Sequence, residues 1–170
     1  AEAQTIGGTN IDPGAGGSRV PTGWTSIRET CDISTKAAWT ANGSFPWAGT
    51  VLDPPNGHTT FLSGVANERA STVIGGLTAG RTYKLTFHIA ELRLLNGGIT
   101  PAENFDGEFN FRAGNTVSGT TLATYNFTGG SSNAWTTHAF IFTATGTSFT
   151  FNVGGNDRSA TNPENHNLWN

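Results

Sequence analysis

The amino-acid sequence predicts an all-β protein, an antiparallel β-sandwich. Several segments alternate apolar and polar residues with a period of two, which is the pattern of half-buried strands. Turn residues separate these segments about every 8–12 residues, a spacing typical of sandwiches. The 170 residues include 23 glycines and 11 phenylalanines, a composition that favours strands and turns over helices. No repeat or linker divides the chain, so residues 1–170 are predicted to form a single domain.

The N-terminal part of the chain predicts little regular structure. Residues 1–23 are rich in glycine and proline, and we expect an irregular segment with one short strand near residues 5–7. Residues 24–34 predict one strand, and residues 45–58 predict a long loop that carries two aromatic side chains.

The clearest predicted strand lies at residues 81–91, directly after a turn for which Gly80 is well suited. Its alternation places large apolar residues on one side and polar residues on the other. We therefore expect one side to face the core and the other to face solvent. The apolar set is Tyr83, Leu85, Phe87 and Ile89, and the polar set is Lys84, Thr86 and His88.

Further period-2 segments predict the remaining strands. The two that lie before residue 81 are expected to pair with each other around a turn at residues 66–68. Residues 92–106 form a long connection, and connections of this length often carry function. The predicted strands are 59–65, 70–77, 107–114, 120–127, 135–144, 147–155 and a last strand within 166–170.

The charge and hydropathy pattern excludes several classes of partner. The formal net charge is −3 and no basic face is visible, so nucleic acid is not an expected partner. No apolar run is long enough to span a membrane, so membrane insertion is not expected. The single Cys31 excludes an intramolecular disulfide and a zinc site built on paired cysteines, and we interpret it as a small buried residue. The low charged fraction, 12%, is typical of secreted or cell-surface β proteins.

Two predicted strands carry polar residues that suit a sugar ligand. If strands 81–91 and 107–114 lie in the same sheet, one surface collects imidazole, carboxylate, amide, guanidinium and ammonium groups. Such groups both donate to and accept from sugar hydroxyls, and a flat aromatic ring suits the C–H face of a sugar. Trp39 and Trp47 are the candidate rings. The alternative is that this polarity is only the ordinary outer face of half-exposed strands. The proposed polar set is Lys84, His88, Glu108, Asn110 and Arg112.

Four stretches resemble one known family. They are "VPTGWT" at 20–25, "TTFLSG" at 59–64, "STVIGGLTAGRTYKLTFHIAE" at 71–91 and "NAWTTHAFIFTATGTSFTFNV" at 133–153. Together they are similar to the galactose-binding-like jelly-roll domains found in many carbohydrate-binding modules. The resemblance implies a jelly-roll sandwich, with the last of these stretches forming paired late strands, and it implies sugar binding. It also implies a structural calcium between an early loop and the last strand, for which Asn10, Asp12 and Asn167 are the candidates.

These observations predict a non-catalytic carbohydrate-binding module that acts outside the cell or at its surface, alone or within a larger enzyme or adhesin. One alternative is an adhesion or surface-assembly module without a sugar pocket, which would present a flat exposed patch. A second is a glycan-degrading enzyme, for which Glu91, Glu103 and Asp106 are the candidate acid and base. Two other common catalytic motifs, the Gly-x-Ser-x-Gly nucleophile elbow and the phosphate-binding loop, do not occur in the sequence.

Overall fold

The computed structural model describes residues 20–28, 31–36, 47–48, 52–65, 68–94, 107–127, 134–157 and 167–169. Within these ranges the chain forms twelve β-strands and one turn of 3-10 helix at Pro55–Gly57. The strands are β1 (Trp24–Arg28), β2 (Asp32–Ser34), β3 (Trp47–Ala48), β4 (Phe61–Val65), β5 (Arg69–Gly75), β6 (Thr82–Ile89), β7 (Glu91–Leu94), β8 (Gly107–Ala113), β9 (Thr121–Phe127), β10 (Thr136–Thr143), β11 (Ser148–Asp157) and β12 (Asn167–Trp169).

The strands are arranged in three antiparallel groups. One five-stranded sheet has the order β1-β5-β11-β8-β9, and a second has the order β2-β4-β12-β7-β3. The third group is the pair β10-β6, whose eight cross-strand partners run without interruption from Thr136↔Ile89 to Thr143↔Thr82. Only Ala90 separates β6, in the pair, from β7, in the second sheet. The pair and the second sheet therefore continue into each other and form the second layer of the molecule.

Aromatic rings hold the β6–β10 pair against the first five-stranded sheet. The rings of Phe87 in β6 and Phe111 in β8 lie 4.2 Å apart between centroids. Phe142 in β10 stacks on Phe149 in β11 at 4.3 Å. Contacts of this kind add about 0.5–1.5 kcal/mol each to the burial of apolar area. The protein is therefore an antiparallel β-sandwich, and the fold class predicted from the sequence is confirmed.

The alternation of β6 has the predicted sense. Tyr83 and Ile89 are buried, Leu85 and Phe87 are partly buried against the core, and the polar residues between them point outward. Cys31 is completely buried, as expected, and its burial raises the pKa of the thiol. No helix in the described ranges has the length and apolar character required to cross a membrane.

Three predictions about local connectivity are wrong. Residues 24–34 form two strands that belong to different sheets, β1 and β2. The strands predicted at 59–65 and 70–77 do not pair: β4 pairs with β2 and β12, whereas β5 pairs with β1 and β11. β10 and β11 also lie in different layers, which corrects the paired late strands of the resemblance. In each case the chain crosses from one layer to the other, and a period-2 pattern carries no information about that choice.

Other strands agree more closely with the sequence. The predicted strand at 81–91 appears as β6 and the first residue of β7, which takes up the start of the predicted connection 92–106. The loop predicted at 45–58 contains the two-residue strand β3 and the 3-10 turn. The last strand, β12, lies within 166–170 as predicted. The short strand expected near residues 5–7 lies outside the described residues.

Candidate functional site

The polar sides of β6 and β8 lie on opposite surfaces of the molecule. β6 pairs with β10, whereas β8 pairs with β11 and β9, so the two strands belong to different layers. Phe87 and Phe111 meet between the layers. The residues that alternate with them consequently point away from each other. The prediction of one shared surface is therefore wrong, because it required both strands to lie in the same sheet.

The outer side of the β6–β10 pair is the more accessible of the two surfaces. We call it the His88 face, defined by the outward residues of β6 and β10 together with Asn56 and His58 at one end. Its cross-strand partners combine polar and apolar side chains, and most of them are exposed. The partners are Thr82↔Thr143, Lys84↔Ile141, Thr86↔Ala139 and His88↔Thr137.

The imidazole of His88 is held from two sides. Its Nδ1 atom lies 3.0 Å from the hydroxyl oxygen of Thr137, and its Nε2 atom lies 3.1 Å from the amide nitrogen of Asn56. An amide nitrogen can only donate, so with this amide orientation Nε2 accepts and Nδ1 carries the proton that is donated to Thr137. The contacts thus fix the orientation of the ring and engage both of its nitrogens.

The surroundings of His88 favour its neutral form. Partial burial lowers the pKa of His88, and the nearby His58 lowers it further, since two imidazolium charges repel each other. The uncharged form is therefore favoured, and in it the one donor of the ring is used by Thr137 and its one acceptor by Asn56. A ligand consequently meets the remaining hydrogen-bonding groups of Thr137 and Asn56, which the ring holds in place.

The segment that supplies Asn56 and His58 is anchored independently of His88. The indole nitrogen of Trp135 donates to the carbonyl of Leu52 at 3.2 Å, and Lys36 pairs with Asp53 at 2.9 Å. Asn56 adopts a left-handed conformation, with φ of 62°, inside the Pro55–Gly57 turn. Asn tolerates this conformation better than most residues. The local sequence "PPNGH" therefore builds a rigid rim beside the β6–β10 pair.

The outer side of the first five-stranded sheet has a different character, because its central polar residues are buried. The guanidinium of Arg69 donates from Nε to the side-chain oxygen of Asn152 at 2.9 Å and from Nη2 to that of Asn110 at 2.7 Å. All three residues are at most 1% exposed. We call these three residues the Arg69 network. Buried polar groups of this kind stabilise the fold only while their hydrogen bonds are satisfied.

The connection between β8 and β9 closes over the Arg69 network. The amide of Asn152 donates to the carbonyl oxygens of Gly114 at 2.9 Å and Thr116 at 3.1 Å. Arg112 donates from Nε to the side-chain oxygen of Asn110 at 3.1 Å and from Nη1 to the carbonyl of Val117. Two side chains of the sheet, Asn152 and Arg112, therefore hold residues 114–119 in place.

This arrangement corrects the predicted role of Asn110. The residue is 0% exposed and its side-chain oxygen already accepts from Arg69 and Arg112, so it presents no group to a ligand at the surface. Arg112 is only partly buried and is engaged with the 114–119 connection. Glu108 lies on β8 opposite Asn156, and its side chain is outside the described part of the structure. Direct ligand contact by Arg112 or Glu108 stays a prediction.

The two candidate aromatic platforms stay predictions as well. Trp47 lies in β3, where it is the register partner of Leu94 in β7, but its side chain is outside the described part. Trp39 lies outside the described residues altogether. β3 pairs with β7, and β7 follows β6 after a single residue. Trp47 and His88 therefore belong to neighbouring parts of the same layer.

The calcium prediction is not tested by the structure. Asn10 and Asp12 lie outside the described residues, and Asn167 is described only as a backbone position in β12, opposite Arg93. Among the side chains that the structure does describe, no group of three or more His, Cys, Asp or Glu residues could hold a metal ion.

Sequence reasoning missed the residues that orient His88. Thr137 was visible only as a polar residue of a predicted strand, and Asn56 only as part of a loop. The pairing of β6 with β10, across 49 residues of sequence, brings Thr137 to His88. The "PPNGH" motif was the available signal for the rim, since Asn-Gly marks a tight turn. No local pattern shows which strand such a turn will contact.

No protein-family model matches the sequence, and no curated protein matches it. Solved structures are similar to it at low identity. The enzymatically active domain of tailspike protein 4 from bacteriophage CBA120 matches 87% of this chain at 9% identity, with a TM-score of 0.45, and the chain spans 18% of the length of that protein chain.

Two further solved structures match most of both chains. A carbohydrate-binding module of Cellvibrio mixtus lichenase 5A, in complex with cellotriose, has 14% identity and a TM-score of 0.40, with 85% of this chain and 95% of that chain covered. The K3 adhesin domain of Lys-gingipain from Porphyromonas gingivalis has 15% identity and a TM-score of 0.40, with 85% and 89% covered. These likenesses assign no role to any residue of this chain.

Proposed function

We propose that the chain is a non-catalytic module that binds carbohydrate outside the cell, and that the ligand lies on the His88 face. The observation that carries this proposal is the pair of groups that His88 holds on an accessible sheet surface, the Thr137 hydroxyl at its Nδ1 and the Asn56 amide at its Nε2. The Thr137 hydroxyl keeps its own O–H donor, and the Asn56 amide keeps a second N–H and its carbonyl oxygen. Fixed groups that both donate and accept suit a polyhydroxylated, uncharged ligand.

The neighbours of His88 supply the remaining kinds of contact that a sugar needs. Lys84 is exposed and brings three donors to the middle of the face. Thr86 adds a hydroxyl, and the exposed Ala139 and Ile141 offer apolar surface to C–H groups. The face is open rather than enclosed, so water shares the contacts and affinity falls in the range of roughly micromolar to millimolar.

Two parts of the proposal rest on the sequence. Stacking of a sugar ring on Trp47 or Trp39 would extend the contact surface beyond the His88 face. A calcium ion held by Asn10, Asp12 and Asn167 would have a structural role. Both follow from residue type and from the resemblance to galactose-binding-like domains.

The test is retention of the protein on a panel of insoluble and gel-embedded polysaccharides, followed by calorimetry with the best ligand. His88→Ala is expected to weaken binding at least about tenfold, because it removes the ring that holds the Thr137 hydroxyl and the Asn56 amide in place. Thr124→Ala, an exposed residue on the other sheet, is the matched control and is expected to leave affinity unchanged.

The same experiment separates the alternatives. Equal affinities of His88→Ala and the wild type would contradict the assignment of the His88 face. Release of product sugars would indicate a glycan-degrading enzyme, and absence of retention on every polysaccharide would favour an adhesion module. Thermal unfolding with and without a chelator tests calcium, since loss of thermal stability without the ion is the expected result for a structural site.

A further inference from the structure

Strands at the edge of a sheet expose unpaired backbone groups, and natural proteins protect them with bulges, charges or short length. Most edges in the described part of this molecule carry such protection. β1 and β9, at the two ends of the first sheet, each contain an extra residue that breaks the register, Ile27 and Leu122. β2 and β3, at the ends of the second sheet, are only three and two residues long. β6 carries the exposed charge of Lys84.

β10 has none of these features. It is eight residues long, "TTHAFIFT", without proline or a charged side chain. Its register with β6 is unbroken over its whole length, and within the described residues it pairs with no other strand. Ile141 on its outer side is 70% exposed, the largest exposed fraction among the large apolar side chains described. His138 and Phe140 on its inner side are only partly buried.

We infer that the edge of β10 that pairs with no described strand is an interface at which a second copy of this chain adds its own β10, antiparallel, across a two-fold axis. The two β6–β10 pairs then form one four-stranded sheet through both protomers. A two-stranded ribbon is the least stable form of sheet, so this extension satisfies the open backbone groups of both copies.

The chemistry of β10 favours a second copy over an unrelated strand. In a two-fold interface each residue faces a residue of the same strand, so a charged edge would repel itself. The absence of charge extends well beyond β10, since residues 113–156 contain no Lys, Arg, Asp or Glu. A register that places Ile141 opposite Ala139 pairs residues 137–143 of both strands, and the exposed isoleucine then packs on a small side chain.

The experiment is sedimentation velocity of the wild-type chain over a wide range of concentration, from about micromolar to millimolar. A monomer–dimer equilibrium is expected. Ile141→Lys places like charges in the shared sheet and is expected to raise the dimer dissociation constant at least about tenfold. The matched control is Val73→Lys, since Val73 is 55% exposed on the outer side of β5 in the other sheet, and it is expected to leave the constant within about twofold.

Hydrogen–deuterium exchange on the wild-type protein gives a second readout that does not depend on a variant. Amides of β10 are expected to exchange more slowly as the concentration rises, while amides of β1 and β9 stay unchanged. A chain that remains monomeric throughout the range overturns the inference. It is also overturned if Ile141→Lys and Val73→Lys weaken the dimer equally, or if the protected amides lie elsewhere.

Discussion

The two outer surfaces of the sandwich carry similar polar patterns and have opposite structural roles. On the His88 face the polar side chains remain accessible, and a rim segment orients one of them, His88. On the other sheet the polar side chains of the Arg69 network are buried. They form hydrogen bonds with each other and with residues 114–119. A polar residue that alternates with core residues is therefore a surface group in one strand and a structural element in another.

The largest expected effect comes from breaking the Arg69 network. Arg69→Leu removes the donor to the buried side-chain oxygen of Asn152 and one of the donors to that of Asn110, which also accepts from Arg112. We expect a loss of about 3 kcal/mol in the free energy of unfolding. Lys84→Ala on the accessible surface is the control, with a change of less than about 0.5 kcal/mol. Urea denaturation followed by circular dichroism measures both, and equal effects would remove the distinction between the two surfaces.

A smaller effect is expected where the backbone itself lies close to the network. A Cβ atom added at Gly154 would lie 2.7 Å from Cγ of Arg69 and would collide with the carbonyl oxygen of Glu68. Gly154→Ala is therefore expected to destabilise the protein by about 1–3 kcal/mol. Gly75 in β5 has open space at the same position, so Gly75→Ala is expected to stay within about 0.5 kcal/mol of the wild type. Similar denaturation midpoints for the two variants would show that β11 and β5 are not tightly packed at Gly154.

The smallest effect concerns pH and sharpens the description of the His88 face. Because burial and His58 lower the pKa of His88, the folded protein binds this proton less tightly than the unfolded chain. The neutral ring therefore contributes stability above the ordinary histidine pKa of about 6.5, and this contribution is lost as the pH falls through the lowered folded-state value.

Comparison with His88→Gln isolates this contribution from that of the other histidines. The wild type is expected to lose more stability than the variant between neutral pH and about pH 5. NMR titration of the ring protons measures the pKa of His88 directly. A value at or above 6.5 would contradict the placement of the ring beside Asn56 and His58.

The sequence was a good guide to individual strands and a poor guide to their partners. The inward positions of Tyr83, Phe87, Phe111 and Phe151 follow directly from alternation, because side chains on a strand point to opposite faces with a period of two. Lys84 and His88 were correctly placed on an outer side. Asn110 alternates in the same way, yet it is buried, since burial of an outer face depends on what covers it.

What the sequence determined by itself was the all-β class, most of the strands and the inward or outward sense of each residue, all of which follow from local alternation and turn chemistry. The tertiary structure alone decided which strands share a sheet. It thereby separated His88 from Arg112, brought Thr137 and Asn56 to His88, and enclosed Asn110 and Asn152 around Arg69. The physical reason is that strand pairing joins residues far apart in sequence, and its energy depends on both partners at once, so no single segment records it.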